Sequence, residues 1–141
     1  NLLKNIIMNS LEEGLDLKLD FQKIKKVIEC GEDLIPVVVQ DFHSKQVLVV
    51  AYVNQLALDY TLQNQVASFW STSRNELWVK GATSGEFLKL IEVQVNCEQN
   101  SLLYLVEITA QGACHTKEEN GQPRLSCYYR KIKDKERLEF I

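Results

Sequence analysis

The chain has 141 residues, room for one domain at the usual ~100–200 residues each. Its 45% hydrophobic and 25% charged residues exclude wholesale disorder, and its longest apolar runs, such as Val47 to Val50, are too short to cross a bilayer. The net charge of −3, with Lys and Arg scattered along the chain, argues against a general nucleic-acid binder, which needs a basic field.

Residues 1–18 read as an N-terminal extension ahead of a single domain over 19–141. Within the extension, Ser10 and Glu13 have capping-box spacing, but Gly14 follows at once and weakens such a helix by about 1 kcal/mol relative to Ala. A better helix starts at Asp20 as N-cap and buries Phe21, Ile24, Val27 and Ile28, spaced at three and four residues. Lys23, Lys25 and Lys26 take its other side as a solvated face, and Gly31 suits the C′ position. After Pro36 the pattern turns to β. Val37–Gln40 and Gln46–Tyr52 are rich in β-branched residues and flank the polar turn Asp41-Phe42-His43-Ser44, which predicts a hairpin. Asn54 then caps a short helix with Leu56, Ala57, Tyr60 and Thr61 as its apolar positions. Ser68–Ser71 and Glu76–Val79 form two strands around a turn at Ser73-Arg74-Asn75. Phe87 to Val95 alternates with apolar residues in both sets, the pattern of a central strand. Leu102 to Ile108 is the last long strand. Six or seven mostly sequential strands and two helices make a mainly β, α+β domain rather than a parallel βαβ fold.

None of the four cysteines pairs as C-x-x-C, and four are too few for a disulfide scaffold of this size. Asn1-Leu2-Leu3-Lys4-Asn5 lacks the charged start and long apolar run of a signal peptide. The expected compartment is therefore reducing, hence cytoplasmic, with thiols free or metal-bound. Cys97 sits on the polar turn Asn96-Cys97-Glu98-Gln99-Asn100, and Cys114 and Cys127 flank a long polar loop. Cysteine is among the most buried residue types, so one on a polar turn is out of place. Three beside loops suggest soft ligands for zinc, with a fourth position open to water. His115 is then a fourth ligand or a proton-transfer group. The alternative is that isolated cysteines are inert small hydrophobes, and spacing alone favours it. Cys30, at a helix end, needs only packing.

The stretch from Ser71 to Gly85 is dense in hydroxyls and carries two cations. Arg74 and Lys80 suit phosphate, and Thr83 and Ser84 suit phosphate or sugar, with Trp78 stacked on a base. A pair of β-turns with an ordinary sheet tryptophan explains the same residues equally well.

Together, Leu34–Asp41, Val47–Asn54, Ser71-Thr72-Ser73-Arg74, Glu76–Gly85, Cys114-His115-Thr116 and Ser126-Cys127-Tyr128-Tyr129 resemble the phosphoribosyl-AMP cyclohydrolase family of histidine biosynthesis, almost without gaps from about Leu19 to Arg130. Their order and spacing carry the resemblance. It implies hydrolysis of the N1–C6 bond in the adenine ring of phosphoribosyl-AMP. It also implies a homodimer with three-cysteine zinc sites drawn from both subunits. Carried over, the ligands are Cys97, Cys114 and Cys127. Zinc would make a water nucleophilic at neutral pH, and an acid, here His115, would protonate the departing ring nitrogen. Ser73, Arg74, Lys80, Thr83 and Ser84 would hold the two phosphate-bearing arms. No fused pyrophosphohydrolase domain is expected after Tyr129-Arg130.

Two features depart from the family pattern. Its D-C-D-x-D motif, three aspartates that bind magnesium, reads Asn96, Cys97, Glu98, Gln99 and Asn100 here. Losing two formal charges should weaken Mg²⁺ binding, because magnesium wants anionic oxygen in octahedral geometry. The Cys114–Cys127 loop is also lengthened by Glu118, Glu119 and Asn120-Gly121, read as a solvated insertion rather than replacement carboxylates. The expectation is thus a zinc hydrolase on a buckled mixed sheet or pseudo-barrel with short N-terminal helices, binding neither nucleic acid nor membrane. Its rivals are a zinc-stabilised homologue that binds a purine nucleotide without opening it, and a hydrolase of another purine nucleotide.

Overall fold

In the computed structural model, which describes residues 10–109 and 114–141, the two β-branched stretches pair as expected. β1 (Ile35–Asp41) and β2 (Val47–Val53) run antiparallel, with Val38 opposite Val50. Asp41 shapes the turn between them: its carboxylate accepts from the Ser44 N–H at 2.9 Å and its own N–H donates to the Gln46 carbonyl. Asn54 caps the following helix, α2 (Gln55–Asn64), by accepting from the Ala57 N–H at 3.0 Å. This helix buries Ala57 and Thr61, and the Thr61 and Ser68 hydroxyls meet at 2.7 Å to tie it to β3 (Ser68–Ser71). β3 and β4 (Glu76–Val79) form the predicted second hairpin.

The main sheet has the order β2-β1-β6-β5, where β5 is Leu88–Val95 and β6 is Leu102–Ile108. β6 pairs parallel with β1 and antiparallel with β5, so the sheet is mixed. Among the described residues it does not close into a barrel, and the pseudo-barrel alternative falls away. The expected central strand, Phe87–Val95, lies at an edge. A bulge between Leu90 and Glu92 shifts its alternation by one residue, which spreads apolar residues over both sets. The two interior positions belong to β1 and β6, and β6 buries Leu102, Tyr104, Leu105 and Val106.

Two further differences lie near the ends. The first helix, α1 (Lys23–Glu29), begins three residues after Asp20, which instead accepts from the Gln22 N–H and the Lys26 ammonium. Gly31 follows it with a φ of 78°, as a C′ glycine should. Of the apolar stripe expected to pack, only Val27 is buried; Phe21, Ile24 and Ile28 face outward because no described element of this chain covers them. At the other end a charged stretch forms a hairpin that the pattern did not predict, β7 (Arg130–Ile132) with β8 (Leu138–Phe140).

Residues 10–17 dock on that hairpin. The Leu17 N–H donates to the Glu136 carbonyl at 2.8 Å, and the Leu138 N–H donates to the Leu15 carbonyl at 2.7 Å. Residues 10–13 are helical, and Gly14 ends the turn where a Cβ would stand 2.3 Å from the Ser10 carbonyl oxygen. Among the described residues no helix is long and apolar enough to cross a membrane.

Candidate functional site

The β3–β4 hairpin, the turn after it and the Cys114–Cys127 loop enclose a cleft of about 620 Å³. Its floor is apolar, with Val49, Phe69, Leu88 and Trp78; its polar lining includes Lys80, Lys117 and Glu86 as well as Thr83, Ser84, Cys114, His115 and Cys127. An apolar chamber with a few convergent polar groups is the usual form of a small-molecule site. Trp78 lines the cleft, tilted on Phe69 at 5.3 Å between centroids while remaining partly exposed.

Local structure fixes the cationic side. Val79 ends β4, and Lys80 turns into the cleft almost buried, its ammonium 3.4 Å from the Glu86 carbonyl. Among the described residues no carboxylate pairs with it, and a buried ammonium with only a long carbonyl contact is suited to an anionic ligand. Gly81 makes the turn possible: its φ is +91°, and a Cβ there would lie 2.4 Å from the Phe87 amide nitrogen. Thr83 and Ser84 follow, exposed at the rim.

Two cysteines face this cation side. Cys127 is seated by its N–H, which donates to the Leu48 carbonyl of β2 at 2.8 Å, and by Ser126, whose hydroxyl donates to the Val47 carbonyl. Cys114 is buried, its N–H bonded to the Arg124 carbonyl and its sulfur 3.0 Å from the Thr116 hydroxyl. The two thiols act on each other: Cys127 holds Cys114 below the ordinary thiol range, opposed by burial and helped by Thr116, while Cys114 and burial push Cys127 up. A thiol drawn toward its thiolate is the donor form a soft metal takes.

Cys97 is elsewhere, exposed on the turn between β5 and β6. Among the described residues no three His, Cys, Asp or Glu side chains gather closely enough to hold a metal. Two thiols stand together and the third does not join them within one chain. Zinc fits the donor set, provided the third thiol comes from elsewhere.

Magnesium does not fit the Cys97 turn. The Asn96 side-chain oxygen Oδ1 accepts from the Asn100 and Ser101 backbone N–H groups at 2.9 and 3.0 Å, and the Asn96 side-chain NH2 donates to the Asn100 side-chain oxygen at 2.7 Å. The two amides satisfy each other, leaving Glu98 as the only formal charge, and its carboxylate accepts from the Asn100 amide at 3.4 Å. Neither Glu118 nor Glu119 compensates; both line a separate groove with Arg124, Tyr128 and Tyr129. The lengthened loop is exposed over residues 117–122, as a solvated insertion should be, and is closed by backbone bonds. The Arg124 N–H donates to the Thr116 carbonyl, and the Glu118 N–H donates to the Gln122 carbonyl.

The comparisons with known proteins bear on the same residues. A profile of the phosphoribosyl-AMP cyclohydrolase family matches residues 49–129. The chain belongs to this family. Phosphoribosyl-AMP cyclohydrolase of Clostridium botulinum is 42% identical over 113 residues, covering 79% of this chain and 96% of its own length. The enzyme of the same name from Archaeoglobus fulgidus is 43% identical over 103 residues, 73% of this chain and 89% of the relative. The histidine biosynthesis bifunctional protein HisIE of Aquifex aeolicus is 43% identical over 101 residues. The match covers 72% of this chain but only 46% of that longer relative.

Of the residues singled out from the sequence, Lys80, Thr83, Ser84, Cys114, His115 and Cys127 share the cleft. Ser73 and Arg74 do not line it; they sit on the exposed β3–β4 turn, where Arg74 reaches Ser71 and Glu76. Cys30 ends α1, as packing alone would have it. The sequence reading missed Glu12 and Glu13. Glu12 meets the His115 ring nitrogen Nε2 at 2.9 Å, and Glu13 takes both Arg124 terminal nitrogens at 2.7 and 2.9 Å instead of completing a capping box. No periodicity links positions so far apart in the chain.

Proposed function

We propose that this chain is a phosphoribosyl-AMP cyclohydrolase of histidine biosynthesis that opens the adenine ring of its substrate at N1–C6. The observation that carries the reading is the cleft that puts the Cys114–Cys127 thiol pair opposite the unpaired ammonium of Lys80. The apolar floor and Trp78 receive the purine. Lys80 takes the charge of one phosphate arm, with the Thr83 and Ser84 hydroxyls at the rim. Ser73 and Arg74, on their exposed turn, are left for the second arm. Zinc held by Cys97, Cys114 and Cys127 would supply a water activated at neutral pH. His115 delivers a proton to the ring nitrogen as the C–N bond breaks, making the amine a viable leaving group.

The separation of Cys97 from the other two thiols supports a homodimer in which each site takes Cys97 from the second subunit. The sheet face beside the Cys97 turn supports it as well. It carries a groove lined by Val38, Val47, Val95, Leu102 and Leu103, with uncharged Gln40, Gln94, Asn96 and Ser101 as its polar members. Thiols kept free for a metal favour a reducing compartment such as the cytoplasm.

The decisive assay supplies phosphoribosyl-AMP to the zinc-loaded protein without magnesium and follows the ring-opened product by its absorbance. Turnover is expected, and its absence with one zinc bound per chain would overturn the reading. The amide-clasped Cys97 turn favours one rival, a homologue that holds the nucleotide without opening it. Nucleotide binding without product would establish that rival.

A further inference from the structure

Residues 10–14 lie outside the stretch matched by the family profile, yet they are anchored directly against the cleft-forming loop. The Tyr129 hydroxyl donates to the Glu12 carbonyl at 2.6 Å, the Arg130 guanidinium donates to the Gly14 carbonyl at 2.7 Å, and Glu13 grips Arg124. This anchorage holds the backbone at Glu12 and just after it. Glu12 is the more sheltered partner of its contact, with 32% of its side chain exposed against 74% for His115. An exposed imidazole would otherwise rotate about two side-chain bonds. Among the described residues its one hydrogen-bond partner is this carboxylate, presented from the anchored segment.

We propose that Glu12 is a positioning residue for His115: its carboxylate holds the imidazole over the cleft with Nε2 carrying the hydrogen. A carboxylate accepts and does not donate when ionised, so the contact selects the Nε2–H form and leaves Nδ1 as the nitrogen that handles substrate protons. The same division of labour, a carboxylate orienting an imidazole that does the proton transfer, recurs wherever histidine acts as acid or base. The inference rests on the proposed role of His115 in proton transfer, and it adds the residue that makes that role geometrically possible.

The test is a double-mutant cycle on the zinc-loaded enzyme, with kcat, KM, bound zinc and melting temperature measured for each variant. Glu12→Ala should lower kcat about 10-fold with KM changed by less than about twofold, since general acid–base catalysis is worth about 10²–10⁴ and misorientation forfeits part of it. Glu12→Gln keeps an acceptor oxygen and should lose only about threefold. In a His115→Ala background neither change should lower kcat further, because coupled residues are not additive. A merely structural Glu12 would instead move melting temperature or zinc content and add its loss to that of His115→Ala. An unchanged kcat in Glu12→Ala, or the same loss with and without His115, overturns the assignment. If His115→Ala itself keeps wild-type kcat, the reading of His115 fails first and the Glu12 assignment falls with it.

Discussion

The two cysteine-bearing regions of this chain are built on opposite plans. Around Cys114 and Cys127 the backbone is pinned from several directions, by Leu48, Arg124 and the Ser126 hydroxyl, and Cys114 is buried. Around Cys97 the turn is exposed and answers only to itself, its two asparagines cross-bonded within five residues. One region is a hydrogen-bonded seat for two thiols, and the other is a self-contained turn on the rim of a groove. On the proposed reading the contrast teaches that the ligand set would be completed between two copies, the thiol pair of one taking its third ligand from the Cys97 turn of the other.

The largest effect comes from breaking that complementarity. If the three thiols hold zinc as proposed, Cys97→Ser and Cys114→Ser should each fall below about a thousandth of wild-type activity, because the metal and the water it would activate would be lost together. Mixed, unfolded and refolded at equal amounts, the two inactive variants should recover about a quarter of wild-type activity, since half the dimers are mixed and each has one intact site of two. Activity and zinc content of the mixture are the readout. No recovery, with dimers present, would show that all three thiols act within one chain.

A smaller effect sharpens the other half of the comparison. The amide clasp at Asn96 and Asn100 does without a cation what paired carboxylates could do only with one. In the double variant Asn96→Asp, Asn100→Asp the donated hydrogen bond is replaced by repulsion between like charges. At about 1 kcal/mol for the lost bond, the melting temperature should drop by about 3 °C in chelator. Millimolar Mg²⁺ should restore it, while the wild-type midpoint stays unmoved by Mg²⁺. A wild-type melting curve that rises with Mg²⁺ would mean the clasp opens to bind it.

What could be read in the sequence follows the same division between local and distant causes. The Asn54 cap, the β1–β2 hairpin and the β3–β4 hairpin depend on neighbours a few residues away, so pattern and turn chemistry sufficed. The edge position of β5 was hidden by its bulge, which scrambles the alternation that marks faces. The β7–β8 hairpin is charged and short, and it is held partly by residues 10–17 from the far end of the chain. Cys97, Cys114 and Cys127 stood out as soft ligands, but spacing carried no sign that two of them meet and one stands apart. Glu12 and Glu13 were invisible for the same reason: their partners are more than a hundred positions away.

The smallest effect concerns how the rigid region is held. Arg124 has an almost buried side chain whose guanidinium lies 4.1 Å from the Tyr129 ring centroid and 5.6 Å from that of Phe140. Glu13 closes the arrangement with two parallel hydrogen bonds. Those bonds, then the charge of Arg124, hold the Glu13 carboxyl below the usual carboxylate range, against the cost of its partial burial. A carboxyl depressed in the folded state stabilises above its unfolded value, about 4.3, and loses that contribution as pH falls through the lower folded value. Glu13 is itself half exposed, so solvent screening keeps the contribution to about 1 kcal/mol and about 3 °C in melting temperature. Glu13→Gln should therefore melt below the wild type by a constant margin between pH 5 and 8, and the two curves should converge as pH approaches 3. Thermal unfolding across that range checks it. A margin that persists at low pH would mean the contact works through packing of the chain around Arg124, with the carboxylate charge contributing nothing.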